Sequence, residues 1–526
     1  VTQNAPNDAE PSSPEFDGAA GDDPEADPTE ADPTEADPTE ADPTEADPTE
    51  ADPTEAPTTA LAKWQQRTRI ERLRAPIILA LVAMSVYALF AWDRVGAPSP
   101  NNHFVYLADS FLNKTVEMRV DPPHGNDWAS IETLTSPAGD TYRGIWYDRR
   151  ANKFLTTTGE LYIFDRAELR SMRMERTYYV SFPPAPAVLM LPGVAIWGMN
   201  FNDVLFTILF AGANVGLFYV LLRQLSLRGI SRLRARENIW ITILYAFGTA
   251  HLWCSVLGMV WFTALVVGAT FTLLYMICSV DCRHPLLAGL FLAGAFATRT
   301  PLLFSVVFFA IFFFFPGGKL RRDFGASFWR TGICFAIFPL IIGCALMWLN
   351  MVRFDSLTEF GHRFLAGGQI DRIKHYGLFN VRFISLNLTA LLALVPKFQS
   401  TAPYIIVSQH GLAIWFTTPA LLYFFASRYG SRPEQRLWVS ASLCALAVIA
   451  IPHILYQNTG WVQFGYRFAM DYLPYLLVLL VLSRPRVTWG LKALIIIGIC
   501  INAFGAVTFD RMPEHYGPWV LETERP

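Results

Sequence analysis

The stretch from Trp240 to Val280, "WITILYAFGTAHLWCSVLGMVWFTALVVGATFTLLYMICSV", contains no Asp, Glu, Lys or Arg. A helix in a water-soluble protein keeps one polar face for solvent, and this stretch offers none. Apolar blocks of about 18 residues or more are read as membrane helices. Similar blocks recur along the 526-residue chain, which is 52% hydrophobic and 14% aromatic with a mean hydropathy of +0.29. They fall at roughly 75–92, 203–223, 239–255, 257–280, 286–298, 301–315, 331–350, 411–426, 437–456, 471–483 and 490–508. The expected fold class is therefore an all-α polytopic membrane protein of about eleven transmembrane helices. To it are added a small α+β extracytoplasmic subdomain and a disordered acidic N-terminal tail.

The formal net charge of −3 conceals two opposite regions. Residues 1–58 hold 19 of the 45 acids and no Lys or Arg, so the remaining 26 acids face 42 bases, a balance of +16. From Ala26 the tail repeats "ADPTE" six times. Proline at every fifth position blocks a helix, the acids repel one another, and no large apolar residue can seed a core. The basic flank "KWQQRTRIERLRAP" then places the N-terminus in the cytoplasm. Counting spans onward from it, the short basic loops "RQLSLRGISRLRARE", "DCRHP", "PGGKLRRDFGASFWR", "SRYGSRPEQR" and "SRPRVTWGLK" all fall on the cytoplasmic side. A bacterial inner membrane is the expected location. The seven cysteines form no CxxC and lie almost entirely in apolar spans, so neither disulfides nor a thiolate metal site is expected.

The divisions expected are 1–58, acidic tail; 59–92, basic flank and first span; 93–202, first outer loop; 203–350, spans; 351–410, second outer loop; and 411–526, further spans and the C-terminus. The first outer loop has its own pattern. "HFVYLADSFL", His103–Leu112, has apolar residues at helical spacing and reads as a helix lying along the membrane surface. "ASIETLTSPAGDTYRGIWYDRRANKFLTTTGELYIF" alternates, with turn signals at Pro137–Asp140 and Thr158–Gly159, and reads as a small antiparallel β unit. In "TYYVSFPPAPAVLMLPGVAIWG", Pro183 and Pro184 suit the start of a second interfacial helix.

These stretches, with "NDVLFTILFAGANVGLFYVLLRQL" after them, resemble the GT-C glycosyltransferases in layout from about Lys63 to the C-terminus. Members of that family are membrane enzymes that take a sugar from a polyprenyl-phosphate carrier. The resemblance implies a polyprenyl-phosphate-linked sugar as donor, an extracytoplasmic lipid, glycan or protein as acceptor, and membrane lipids as surroundings. It also implies a first-loop aspartate that acts on the acceptor hydroxyl, and that position falls on Asp109; the family's acidic pair is here Asp109–Ser110. A carboxylate there could take the hydroxyl proton as the glycosidic bond forms.

A carrier phosphate calls for cations at span ends, and guanidinium groups bind phosphate oxygens bidentately. Three candidates arise: Arg299 in "FATRTPLLF", Arg467 in "GWVQFGYRFAMDYLPYL" and Arg363 in "RFDSLTEFGHRF". Arg467 also lies four residues before Asp471, where a helix would let the two pair. Asp121, His124 and Asp127 could hold a divalent cation, but the spacing is common by chance and a proline-anchored turn is the default, so no metal ligand is assigned. Trp253, Trp261, Trp415, Trp461 and Tyr466 are read as interfacial and packing aromatics. No GxGxxG or GxxxxGK[ST] occurs, and nothing points to nucleic acid. Two other classes fit the composition: a solute or lipid transporter, marked by paired broken helices, and an inactive scaffold that uses the acidic tail to bind partners.

Overall fold

The computed structural model describes residues 69–518 apart from 366–368, 427, 431 and 484–486. The acidic tail and the first part of the basic flank, residues 63–68, lie outside the described residues. The chain is mostly helical. In order, the principal helices are α1 (Arg69–Phe90), α2 (His103–Leu112), α3 (Ala185–Trp197), α4 (Asp203–Leu227), α5 (Ala235–Phe247), α6 (Val260–Ser279), α7 (Pro285–Phe296), α8 (Val306–Phe314), α9 (Ala326–Phe354), α10 (Ile384–Leu392), α11 (Pro433–Leu455), α12 (Leu473–Ser483) and α13 (Trp489–Thr508).

Six stretches, falling on α1, α4, α6, α9, α11 and α13, are long and apolar enough to cross a membrane, as in an integral membrane protein. The other spans read from hydropathy are shorter. The expected span 239–255 ends at Phe247, because the chain bends at Gly248 and resumes as the short helix His251–Cys254. The expected span 411–426 is not one helix. It is a strand at His410–Leu412, a turn of helix at Ile414–Thr417 and a 3₁₀ run at Pro419–Ala426. Pro419 removes the amide that a continuous helix would need. Hydropathy measures solubility in an apolar medium, and a buried broken segment satisfies it as well as a span does.

Close approach holds the helix layer together. Gly212 and Gly216 form a GxxxG face on α4 against α1, where an added Cβ would stand 2.8 Å from the carbonyl oxygens of Ala80 and Pro76 respectively. Small residues at this spacing let two backbones approach where lipid supplies no hydrophobic drive for association. Buried Asp203, at the start of α4, accepts hydrogen bonds from the Ser99 amide (2.7 Å) and hydroxyl (2.6 Å), which anchors the first loop to the bundle.

Between α2 and α3 the chain forms a five-stranded antiparallel sheet: β1 (Ala129–Thr135), β2 (Thr141–Asp148), β3 (Lys153–Thr156), β4 (Leu161–Ile163) and β5 (Arg173–Tyr179). The spatial order is β4-β3-β2-β1-β5, with Glu132 opposite both Gly144 and Arg176. Gly139 and Gly159 take positive φ at the two tight connections, a conformation that side chains with a Cβ resist. α2 spans His103–Leu112 and packs on α3 through Phe104, Leu107, Ala187 and Met190.

Candidate functional site

A cavity of ≈ 470 Å³ lies where the first loop, the α7–α8 connection and the segment after α11 meet. Its wall includes Asp127, Trp261, Arg299, His362, His453 and Arg467. These residues are far apart in the chain, and each reaches the wall for a local reason.

Arg299 sits where α7 has ended. Thr298–Arg299 is followed by Pro301, and Arg299 takes an extended backbone (φ −149°, ψ 117°) between α7 and a 3₁₀ turn. The break turns its side chain toward the buried Asp471, whose carboxylate oxygens lie 2.7 and 2.9 Å from Nε. His453 Nε2 stands 2.9 Å from the second of those oxygens. One buried carboxylate therefore holds a guanidinium and an imidazole together at the cavity wall.

Arg467 does not pair with Asp471. Residues Arg467–Asp471 form a 3₁₀ helix, and with three residues per turn the position four along has rotated off the shared face. Its amide donates to Gln463 Oε1 (2.9 Å), and Gln463 Nε2 donates to the carbonyls of His410 and Thr459 (2.8 Å each), so the turn is pinned from behind. The Arg467 guanidinium faces the rings of Phe262 (5.1 Å) and Phe468 (5.8 Å) and, among the described residues, makes no ion pair. It is only 7% exposed. Burial draws it down to about 10, which leaves it cationic at neutral pH; Asp127 opposes that shift. A buried cation without a carboxylate partner is strongly disfavoured unless a ligand supplies the anion. His362 Nδ1 and Asn101 Oδ1, also on cavity-lining residues, lack hydrogen-bond partners among the described residues. Burial holds the His362 ring neutral, down to about 4.

Asp127 is the acid that the sequence reading missed in this role. It sits at positive φ (56°) in the turn before β1, and its Oδ2 accepts from Trp261 Nε1 at 2.8 Å. Asp109, the expected base, is elsewhere. It lies on the outward side of α2, where Asn113 and Arg119 contact its carboxylate at 3.4 Å, and it lines none of the cavities described here. Its helical neighbours Val105 and Leu107 are buried, and Asp109 itself is partly buried at the edge of that face, with its carboxylate beside Arg119. Arg363 is also elsewhere, largely exposed and paired with Glu359 at 3.3 Å, while its neighbour His362 reaches the cavity. Of the four residues singled out from sequence, Arg299 and Arg467 meet, whereas Asp109 and Arg363 stand apart. The aromatics divide as well: Trp261 and Trp461 line the cavity, and Trp253 is core.

Asp121, His124 and Asp127 do not converge. No group of three His, Cys, Asp or Glu able to hold a metal occurs among the described residues. His124 Nε2 instead contacts the Pro100 carbonyl oxygen at 2.7 Å.

A second cavity of ≈ 890 Å³ is an apolar groove between α3, α6, α7 and α9, lined by residues such as Val188, Leu290, Ile342 and Leu346, with Lys114 and Glu117 at its rim. The two cavities adjoin. Of two consecutive prolines, Pro183 lines the first and Pro184 the second; likewise Thr298 lines the first and Ala297 the second. A mostly apolar chamber that carries a buried cation thus lies beside a groove with the chemistry of an acyl or prenyl chain. Comparison with protein-family models, curated proteins and solved structures finds no match to this chain.

Proposed function

We propose that the protein is a membrane glycosyltransferase that moves a sugar from a polyprenyl-phosphate carrier to an acceptor hydroxyl. Arg467, buried on a cavity wall and without an ion pair among the described residues, is the observation that carries this reading. The carrier phosphate supplies the missing anion, with Arg299, held by Asp471, as the second cation. The prenyl chain occupies the apolar groove beside the chamber. Eleven membrane passages, with the shorter apolar helices α5, α7, α8 and α12 and the broken 411–426 segment as partial or re-entrant crossings beside the six long helices, and a cytoplasmic N-terminus belong to this proposal, as does a bacterial inner membrane.

Asp127 replaces Asp109 as the base. The acceptor oxygen bonds to the anomeric carbon as the bond from that carbon to the phosphate oxygen breaks. The hydroxyl proton passes to the Asp127 carboxylate, and the electron pair of the broken bond stays on the carrier phosphate, where two guanidinium groups stabilise the added charge. Arg is suited to this role because it presents planar paired donors and stays charged when buried. The reading is tested with full-length protein in lipid nanodiscs and a polyprenyl phosphate as probe. Arg467→Gln is expected to weaken binding by 100-fold or more while the thermal midpoint holds; binding equal to that of the parent protein overturns the assignment.

A further inference from the structure

One face of the sheet carries a third cavity, of ≈ 630 Å³, within the range of small-ligand sites. Its centre is Glu132 on β1, which is 9% exposed. Three donors converge on that carboxylate: Trp146 Nε1 to Oε2 (2.5 Å), Arg149 Nη2 to Oε1 (2.9 Å) and Arg176 Nη2 to Oε1 (2.7 Å). The register explains the convergence. Glu132 lies opposite Arg176 on β5 and opposite Gly144 on β2, and Trp146, two residues from Gly144, shares its face. Ser130 and Tyr178, opposite one another two residues along, extend the same face, and Trp128 and His124 close it toward the chamber.

This cavity adjoins the catalytic chamber. Within one turn of chain, Gly125 and Trp128 line the sheet cavity while Asn126 and Asp127 line the chamber, and Leu365 lines both. A molecule seated on the sheet would reach Asp127 across this short boundary. Trp128 is 1% exposed, and its indole N–H has no partner among the described residues.

The chemistry of the wall is specific. Two guanidinium groups face one carboxylate, so the cavity carries an excess positive charge. Arg149 and Arg176 remain 65% and 47% exposed at the side chain, which leaves N–H donors on each pointing to solvent. Indole and phenol rings present flat apolar surfaces with a polar tip. Rings beside planar donors match a chain of sugar rings, whose faces are apolar and whose edges carry hydroxyls, and the excess cation matches an acid group on that chain. We infer that the sheet cavity binds the acceptor, and that the acceptor is an acidic glycan whose growing end passes over residues 125–128 to Asp127. The inference rests on the transfer reading above for what happens at Asp127, but the binding it describes does not.

The experiment measures binding of trigalacturonic acid, its methyl ester and maltotriose to the full-length protein in nanodiscs by calorimetry. The acid is expected to bind at least tenfold more tightly than its ester. The doubly substituted protein, Arg149→Gln with Arg176→Gln, is expected to lose that preference. Ser130→Tyr, which fills the cavity without touching the charges, is expected to weaken all three sugars by tenfold or more. Thermal midpoints of the variants show whether the sheet is intact. Equal affinity for acid and ester, or an acid preference that survives both variants in folded protein, overturns the inference. Arg467→Gln separates the two proposals: loss of polyprenyl-phosphate binding with no acid preference on the sheet leaves transfer standing and removes the glycan site. Acid preference on the sheet with carrier binding unaffected by Arg467→Gln does the reverse.

Discussion

Asp109 and Asp127 lie in the same loop, and their surroundings are opposite. Asp109 sits in the middle of an apolar helix, and its side chain meets Arg119 and Asn113 at the surface. Asp127 sits in an unremarkable turn of Gly, Asn and Asp, and its side chain meets Trp261 at the wall of a chamber that also holds two arginines. An acid within an apolar sequence draws the eye because burial there would be costly. Yet helical periodicity specifies only which residues share a face, and an acid at the edge of a buried face lowers the cost by pairing with a nearby arginine. A turn residue at positive φ can be aimed where no regular element would aim it, so function concentrates in such places.

The largest effect that would sharpen this contrast is on turnover. Asp127→Asn keeps the Trp261 hydrogen bond within reach but removes the proposed base, and a loss of about 10²–10⁴ in transfer rate is expected, measured with a polyprenyl-phosphate sugar and any accepted alcohol. Asp109→Asn in the same assay should stay within about twofold of the parent protein. The reverse ranking would return the catalytic role to the surface helix.

Next in size is Asp471→Asn. It leaves Arg299 and His453 buried beside a neutral amide, and breaking a buried pair in this way costs about 3–5 kcal/mol. A lowered thermal midpoint together with weaker carrier binding is expected. An unchanged midpoint would mean that the pair is not buried as described.

A smaller effect depends on pH. His103, on α2, is fully buried and stacks on Trp128 with ring centroids 3.6 Å apart. Burial pushes its pKa down to about 3, against hydrogen bonds to the backbone at Asn101 and Asn126 that favour the proton. The folded protein keeps this ring neutral, whereas the unfolded chain protonates it below about 6.5. Stability from this group is therefore full above that value and declines as pH falls toward the folded pKa, by about 2 kcal/mol at pH 5. His103→Phe should flatten the fall in thermal midpoint between pH 7 and pH 5, and an identical slope would show that the ring is solvated. The least effect belongs to Arg119→Ala: the arginine is half-exposed, and its loss should cost less than about 1 kcal/mol of unfolding stability.

Part of this molecule was legible before its structure. The two helices of the first loop and the sheet region could be read because their signals are local: period near 3.6 in His103–Leu112, alternation in Ala129–Ile163, prolines before Ala185. Arg299 and Arg467 could be singled out because a guanidinium between apolar runs has few inexpensive positions. The pairing of Arg467 with Asp471 could not be settled by spacing, since a 3₁₀ turn and an α-helix place the fourth residue differently. The span at 411–426 was misread for a related reason: apolar composition is shared by membrane helices and buried irregular segments.

By itself the sequence determined the solvent of this protein and the grain of its parts. Long uncharged blocks require lipid or a protein interior, and periodicity within twenty residues selects helix or strand. Only the tertiary structure decided which acid lines the chamber with the arginines, which cation makes no ion pair among the described residues, and which aromatic rings line a cavity. Those outcomes depend on contacts between residues a hundred or more positions apart, such as Asp127 with Trp261 and Arg299 with Asp471. Side-chain direction at a turn or a broken helix is set by packing around it, and no local pattern in the chain records that packing.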